Sequence, residues 1–153
     1  MRGLNSGAAE QTEVKIHLKT RIQHGDEKDS FELFSNGRYY EKGDSFFLKY
    51  DEVQEEGTIH TIVKIKRDEE ALILRSGAVK MRMVFKEDEE HAGSYESQLG
   101  TLMITTKTSK LTHTANRTRN DGEINLSYQL FMQGSPVGKY EMDISYKEEG
   151  IEQ

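Results

Sequence analysis

Apolar and polar residues alternate with period two along almost the whole chain, and helical spacing is nearly absent. This pattern predicts strands. In EVKIHLKTRIQ, Val14, Ile16, Leu18 and Ile22 alternate with Glu13, Lys15, His17, Lys19 and Arg21. HGDEKD reads as a loop, and SFELFSNGRYYEK carries a second strand in which Asn36-Gly37 marks a bulge or a tight bend. Lys42-Gly43-Asp44 is a hairpin turn into SFFLKYDE. VQEEG leads to TIHTIVKIK, where Ile59, Thr61, Val63 and Ile65 share a face, and RDEEA is a further hairpin connection. After KEDEEHAG, read as an acidic loop, SYESQLGTLMITTKTSKLTHT is one long strand or two broken at Gly100. ANRTRNDG is a polar loop ending in Asp121-Gly122, and EINLSYQLFM places Ile124, Leu126, Tyr128, Leu130 and Met132 on one face. MQGSPVG is a turn with the only proline, Pro136. KYEMDISY closes the series with Tyr140, Met142, Ile144 and Tyr146 aligned.

Eight to ten short, evenly spaced strands without crossover helices make an all-β antiparallel meander. A sheet of that size removes its exposed edges by closing, so a single up-and-down barrel over residues 13–147 is the expected fold, with a β-sandwich as the alternative. Residues 1–12 then form a loose leader and 148–153 a tail.

The stretch LILRSGAVKMRMVF, Leu72 to Phe85, breaks the rhythm. Pairing it to the preceding strand through a four-residue DEEA loop sets Arg67 opposite Leu72, Ile65 opposite Leu74 and Lys64 opposite Arg75. Leu72 and Leu74 then join Val63 and Ile65 on the inner face. Beyond Gly77 the apolar parity switches to Val79, Met81, Met83 and Phe85, and a bulge at Ser76-Gly77 is the device that would keep all of them inside.

Composition removes several functions. The 153 residues are 34% apolar with a formal charge of -6, and there is no cysteine. Disulfides, thiol catalysis and Cys-ligated zinc are excluded, and the chain fits a cytoplasmic protein. A net acidic chain is a poor general nucleic-acid binder. No apolar run approaches the roughly 20 residues of a membrane-spanning helix. His17, His24, His60, His91 and His113 are scattered without HxH or HExxH spacing, and the acid clusters lack the alternating ligands of an EF-hand. No GxSxG, P-loop or GxGxxG motif occurs, so no enzyme, metal or cofactor is expected. The sequons at Asn116 and Asn125 carry little meaning in a cytoplasmic chain.

Two places remain for function. The first is the lumen, where Phe46, Leu48, Tyr50, Met81, Met83, Tyr128, Met132, Tyr140 and Met142 point inward. Bulky side chains of this kind fill a small barrel, yet Tyr hydroxyls and flexible Met also suit a small amphipathic or anionic ligand. Tyr50, Tyr128, Tyr140, Met81 and Met83 are the candidate contacts. Arg75 joins them as an anion holder only if its strand is one residue out of the pairing above. The second place is the outer face, where Lys64, Lys66, Lys80 and Arg82 gather with Arg75, and Ile62, Ile73 and Val84 lie among them. Neighbouring acids could neutralise such a patch. Otherwise it suits an anion, an acidic protein partner or self-association.

GRYYEKGDSFFLKYDE, TIVKIK, LILRSGAVKMRMVF, YESQLGTLMITTKT and GEINLSYQL, in that order, resemble the YwiB-like family of small bacterial β-barrel proteins. The resemblance runs from about Val14 to Tyr146, and RSGAVKM is its most specific element. It implies a calycin-like, lipocalin-type barrel in a bacterial cytoplasm and brings no catalytic residue with it. With no tryptophan, the chain lacks the Gly-x-Trp signature of lipocalins, so ligand binding inferred from barrel shape rests on analogy.

Overall fold

The computed structural model describes residues 10–67 and 69–149. Most of the expected leader and tail therefore lies outside the described residues. Ten antiparallel strands follow one another: β1 (Thr12–His24), β2 (Glu27–Lys42), β3 (Ser45–Gln54), β4 (Gly57–Lys66), β5 (Glu70–Gly77), β6 (Lys80–Lys86), β7 (Glu90–Ser97), β8 (Gly100–Asn116), β9 (Asp121–Met132) and β10 (Ser135–Glu148). Each pairs with its neighbours in sequence, and β10 returns to β1, closing an up-and-down barrel. Closure leaves no sheet to pack against, so the sandwich alternative falls away. Five two-residue turns, at residues 25–26, 55–56, 78–79, 98–99 and 133–134, mark one end, called the upper end below.

The register of β5 differs from the sequence expectation. Ile65 pairs with Ala71, Lys64 with Leu72, Val63 with Ile73 and Thr61 with Arg75. The connection leaves only three residues between Lys66 and Glu70, and one residue fewer inverts every side chain of the strand. Glu69 makes this short loop by adopting a φ of 68° while its N–H donates to Lys66 O at 2.9 Å. That left-handed position is normally given to glycine, so nothing in RDEEA announced it. Ala71 and Ile73 are buried, Leu72 and Leu74 face outward, and Arg75 enters the lumen.

The bulge expected at Ser76-Gly77 is not there. Gly77 ends β5 at a φ of 96°, Ala78 and Val79 form the turn, and Ala78 N–H donates to Thr58 O at 3.1 Å. Arg75 pairs with Met81, Ile73 with Met83 and Ala71 with Phe85. These six odd-numbered residues share one face because a hairpin joins two strands of unchanged parity. The parity switches lie elsewhere. In β8 the register shifts between Thr108 and Lys110, so Ile104, Thr106 and Thr108 face inward before Ser109, and Leu111 and His113 after it. In β10 a second shift between Pro136 and Gly138 sets Val137 out of register and accommodates the sole proline near the strand's start.

Other boundaries move as well. HGDEKD is mostly strand, with only Gly25 and Asp26 in the turn, and Glu90 to Gly93 of the supposed acidic loop belong to β7. The long segment around Gly100 is two strands. Asn36-Gly37 holds no bulge, because the β1–β2 register runs unbroken from Thr12–Tyr39 to His24–Glu27. Gly37 is instead where β3 departs, and residues 27–36 of β2 pair with β1 alone.

The lower half of the lumen is filled by Val14, Ile16, Leu48, Val63, Ile124 and Ile144, each 2% exposed or less. Strands β6 and β7 pair only from Lys80–Glu96 to Arg82–Ser94. Below that point the hydroxyl of buried Thr106 donates to Val84 O. Gly93 sits against this seam, where an added Cβ would overlap the carbonyl oxygen of Arg82. Replacing Gly93 by Ala should lower unfolding free energy by about 1–3 kcal/mol, the usual cost of overpacking. Urea denaturation checks this, and an unchanged midpoint would show that the seam does not need the glycine.

Candidate functional site

Below the upper turns the close packing gives way to a cavity of about 380 Å³. Its wall is built by in-phase residues: Leu18 and Ile22 of β1, Tyr50 and Glu52 of β3, Thr61 of β4, Ile73 and Arg75 of β5, Met83 of β6, Tyr128 of β9, and Tyr140 and Met142 of β10. It opens beside the stretch where β2 and β3 no longer pair, so Phe31 and Leu33 border it on one side and Val53 and Gln54 on the other. At the point of separation the Ser35 hydroxyl donates to Asp51 O at 2.9 Å.

The polar centre of the cavity is an ion pair. Arg75 Nη2 donates to Glu52 Oε1 at 3.1 Å, and the side chains are 24% and 14% exposed. Thr61 Oγ1 donates to Glu52 Oε2 at 3.2 Å, so both carboxylate oxygens are engaged from the lumen wall. Arg75 Nη1 lies 3.9 Å from the Sδ of Met81, its register partner on β6. Most of the guanidinium's five N–H groups remain available.

Aromatic rings complete the wall. Tyr128 and Tyr140 stack at 5.1 Å with 6° between planes, and Phe85 supports Tyr128 at 4.8 Å. Burial pushes the Tyr128 phenol well above its usual range, with a smaller contribution from Tyr140. Burial, then the Glu52 carboxylate, does the same to Tyr50. Both phenols therefore stay neutral donors. Tyr128 O–H points to Met142 Sδ at 3.9 Å.

Of the six sequence candidates, Arg75, Tyr50, Tyr128, Tyr140 and Met83 line the cavity, whereas Met81 does not and touches the site only through Arg75. Arg75 is there because of the corrected register. Glu52 and Thr61 were missed, although the alternation Phe46, Leu48, Tyr50 continues in phase to Glu52. The outer-face set does not form one cluster. Lys66 reaches Glu70 at 3.9 Å, Lys80 reaches Glu96 at 4.0 Å, and Lys64 lies over the Phe47 ring at 5.4 Å. Ile73, expected outside, is a core residue. Among the described residues no group of three or more His, Asp or Glu could hold a metal ion.

The lower end is chemically different. His113 packs on Phe46 at 4.3 Å, and its Nε2 lies 2.9 Å from the Tyr146 hydroxyl. Tyr39 donates to Asn120, whose amide donates to Glu148 at 3.0 Å, and Arg117 pairs with Glu41 across the opening. Burial is the largest influence on His113 and lowers its pKa, with Arg117 adding to that and Glu41 opposing it. The folded state therefore resists protonation more than the unfolded chain. The penalty is absent above the unfolded pKa of about 6.5 and grows as pH falls below it. His113→Phe should flatten the loss of stability between about pH 6.5 and 5 relative to the parent, read as urea midpoints across that range. Parallel pH profiles for the two proteins would count against this account.

The chain is 28% identical over 138 residues to Uncharacterized beta-barrel protein YwiB of Bacillus subtilis (strain 168), a match spanning 90% of this chain and 95% of that protein. The crystal structure of ywiB protein from Bacillus subtilis superposes with a TM-score of 0.82 at 28% identity, covering 95% of this chain and 99% of the other. Residues 16–144 match the family model described as Domain of unknown function (DUF1934), and the chain belongs to that family.

Proposed function

We propose that this barrel binds a small amphipathic molecule in the upper half of its lumen, in the manner of a lipocalin-like carrier working in the cytoplasm and without catalysis. The observation that carries this reading is the half-buried Arg75–Glu52 pair exposed to the cavity. A lumen meant only to be filled would favour apolar side chains, since a buried ion pair is often no more stabilising than well-packed hydrophobic residues.

The walls and the polar centre define what fits. Stacked Tyr128–Tyr140, Met83 and Met142 offer an apolar, deformable surface for the body of a ligand. The free N–H groups of Arg75 and the neutral phenol of Tyr50 offer donors for its head. That head is anionic or rich in acceptors, because Arg75 and Tyr50 supply donors, Glu52 is already engaged by Arg75 and Thr61, and Glu32 at the rim is engaged by His17. A cavity of about 380 Å³ is at the small end of the range for drug-sized ligands.

The probe is anilinonaphthalene sulfonate, which joins an anionic head to an aromatic body. It should bind the folded protein with a blue-shifted emission. Arg75→Met should weaken binding by about tenfold or more, the worth of a hydrogen bond to a charged group. Leu99→Ser, at an exposed turn and outside the cavity lining, should leave it unchanged. Equal affinity of the parent and Arg75→Met proteins would defeat the proposal. So would the absence of any small molecule in native mass spectra of freshly isolated protein combined with no dye binding.

A further inference from the structure

Reading the outer face by cross-strand register exposes an arrangement that the lumen reading does not use. Tyr40 pairs with Phe47, Phe47 with Lys64, Lys64 with Leu72, and Leu72 with Val84, giving one row across β2 to β6. The adjacent row runs Arg38, Lys49, Ile62, Leu74, Arg82, Ser94 and Met103 across β2 to β8. Within these strands the two rows contain four cations and no carboxylate, on a chain whose formal charge is -6, and the first acid beyond them is Glu13 of β1, opposite Arg38. Elsewhere on the outer face cations meet acids: Arg21 bridges Glu141 and Asp143, and Lys66 and Lys80 meet Glu70 and Glu96. Among the described residues, Arg38, Lys49, Lys64 and Arg82 form no ion pair. Lys49 and Lys64 lie over the rings of Tyr40 and Phe47 instead, at 5.7 and 5.4 Å.

We infer that this face docks an acidic amphipathic helix of another protein. Charge complementarity selects the acidic partner. The apolar centre selects a protein: Ile62 and Leu74 sit side by side between Lys49 and Arg82, with Leu72 and Phe47 in the next row. An apolar core inside a charged rim is the anatomy of a protein interface. Single-stranded nucleic acid needs open ring faces to stack on, and here the Tyr40 and Phe47 rings stack on each other at 4.7 Å and carry lysines. A lipid surface would meet the cations but leave the recessed Ile62 and Leu72 unused. A helix laid across the strands matches the spacing, because neighbouring strands lie about 4.8 Å apart and helix residues three or four apart are separated by about 5–6 Å.

The test uses the full chain and labelled synthetic peptides in fluorescence anisotropy at low salt. One peptide is a helix former with Leu at i, i+3, i+4 and i+7 on a Glu background. The second replaces each Leu by Ser at equal length and charge. The Leu-bearing peptide should bind at least about tenfold tighter than its Ser counterpart, a difference of about 1.4 kcal/mol. The pair Lys49→Glu and Arg82→Glu should weaken it by about tenfold or more, while Arg75→Met, which alters the lumen, leaves it unchanged. Both reversed residues are exposed, and an unchanged melting curve confirms that the barrel is intact. Equal binding of the two peptides, no binding of either, or tighter binding to phosphatidylserine vesicles or oligouridylate would overturn the inference.

Discussion

Strand parity is the constraint on which the rest of this molecule depends. Successive side chains of a strand face opposite sides, so the residue count of each connection decides which of them meet in the lumen. In a closed barrel of ten strands an error in one connection cannot be relaxed at an edge. The three-residue link between Lys66 and Glu70 sends Ala71, Ile73 and Arg75 inward. Ser109 in β8 brings Leu111 and His113 inward after Thr108. Both devices work within a single strand or hairpin, and each delivers a whole set of side chains to one side.

The consequence at β5 is chemical as well as steric. The same three-residue link that buries Ala71 and Ile73 turns Arg75 toward Glu52, two strands away. A charge in a barrel interior is costly unless it is paired and hydrogen-bonded. Glu52 answers Arg75, and Thr61, on the strand between them, holds the carboxylate's other oxygen. Three adjacent strands thus contribute one member each, and none of the three could be placed without the register of its neighbours.

The strands themselves were legible in the sequence because the lumen is apolar and the alternation is strong. The meander, the barrel and the inward rows of β3, β4, β9 and β10 follow from that pattern directly. What escaped was governed by backbone conformations that the side chains do not advertise. Glu69, Asp88, Asn120 and Gln133 all adopt positive φ; Asp88 and Asn120 are of types that favour it, and Glu69 and Gln133 are not. The polar run Glu27–Ser30 concealed the β1–β2 hairpin, because residues 27–36 of β2 pair on one side only and this run at their end is exposed. Among the site residues, Tyr50, Tyr128, Tyr140, Met81 and Met83 could be named from alternation alone. Arg75 needed the loop length, and Glu52 needed the willingness to continue an apolar rhythm onto a charged residue.

The two halves of the barrel divide stability from chemistry. The lower half is packed with aliphatic side chains and closed by Phe46, Tyr146 and His113. That leaves the upper half free to keep a polar pair, a space of about 380 Å³ and a wall where β2 and β3 part. Filling the space with larger apolar side chains would bury more surface, at about 25 cal/mol for each Å². The chain instead spends three inward positions on Arg75, Glu52 and Thr61. A barrel closed along its whole length by the β1–β10 ladder can carry such positions, and local departures from the apolar pattern are where function is expected to reside.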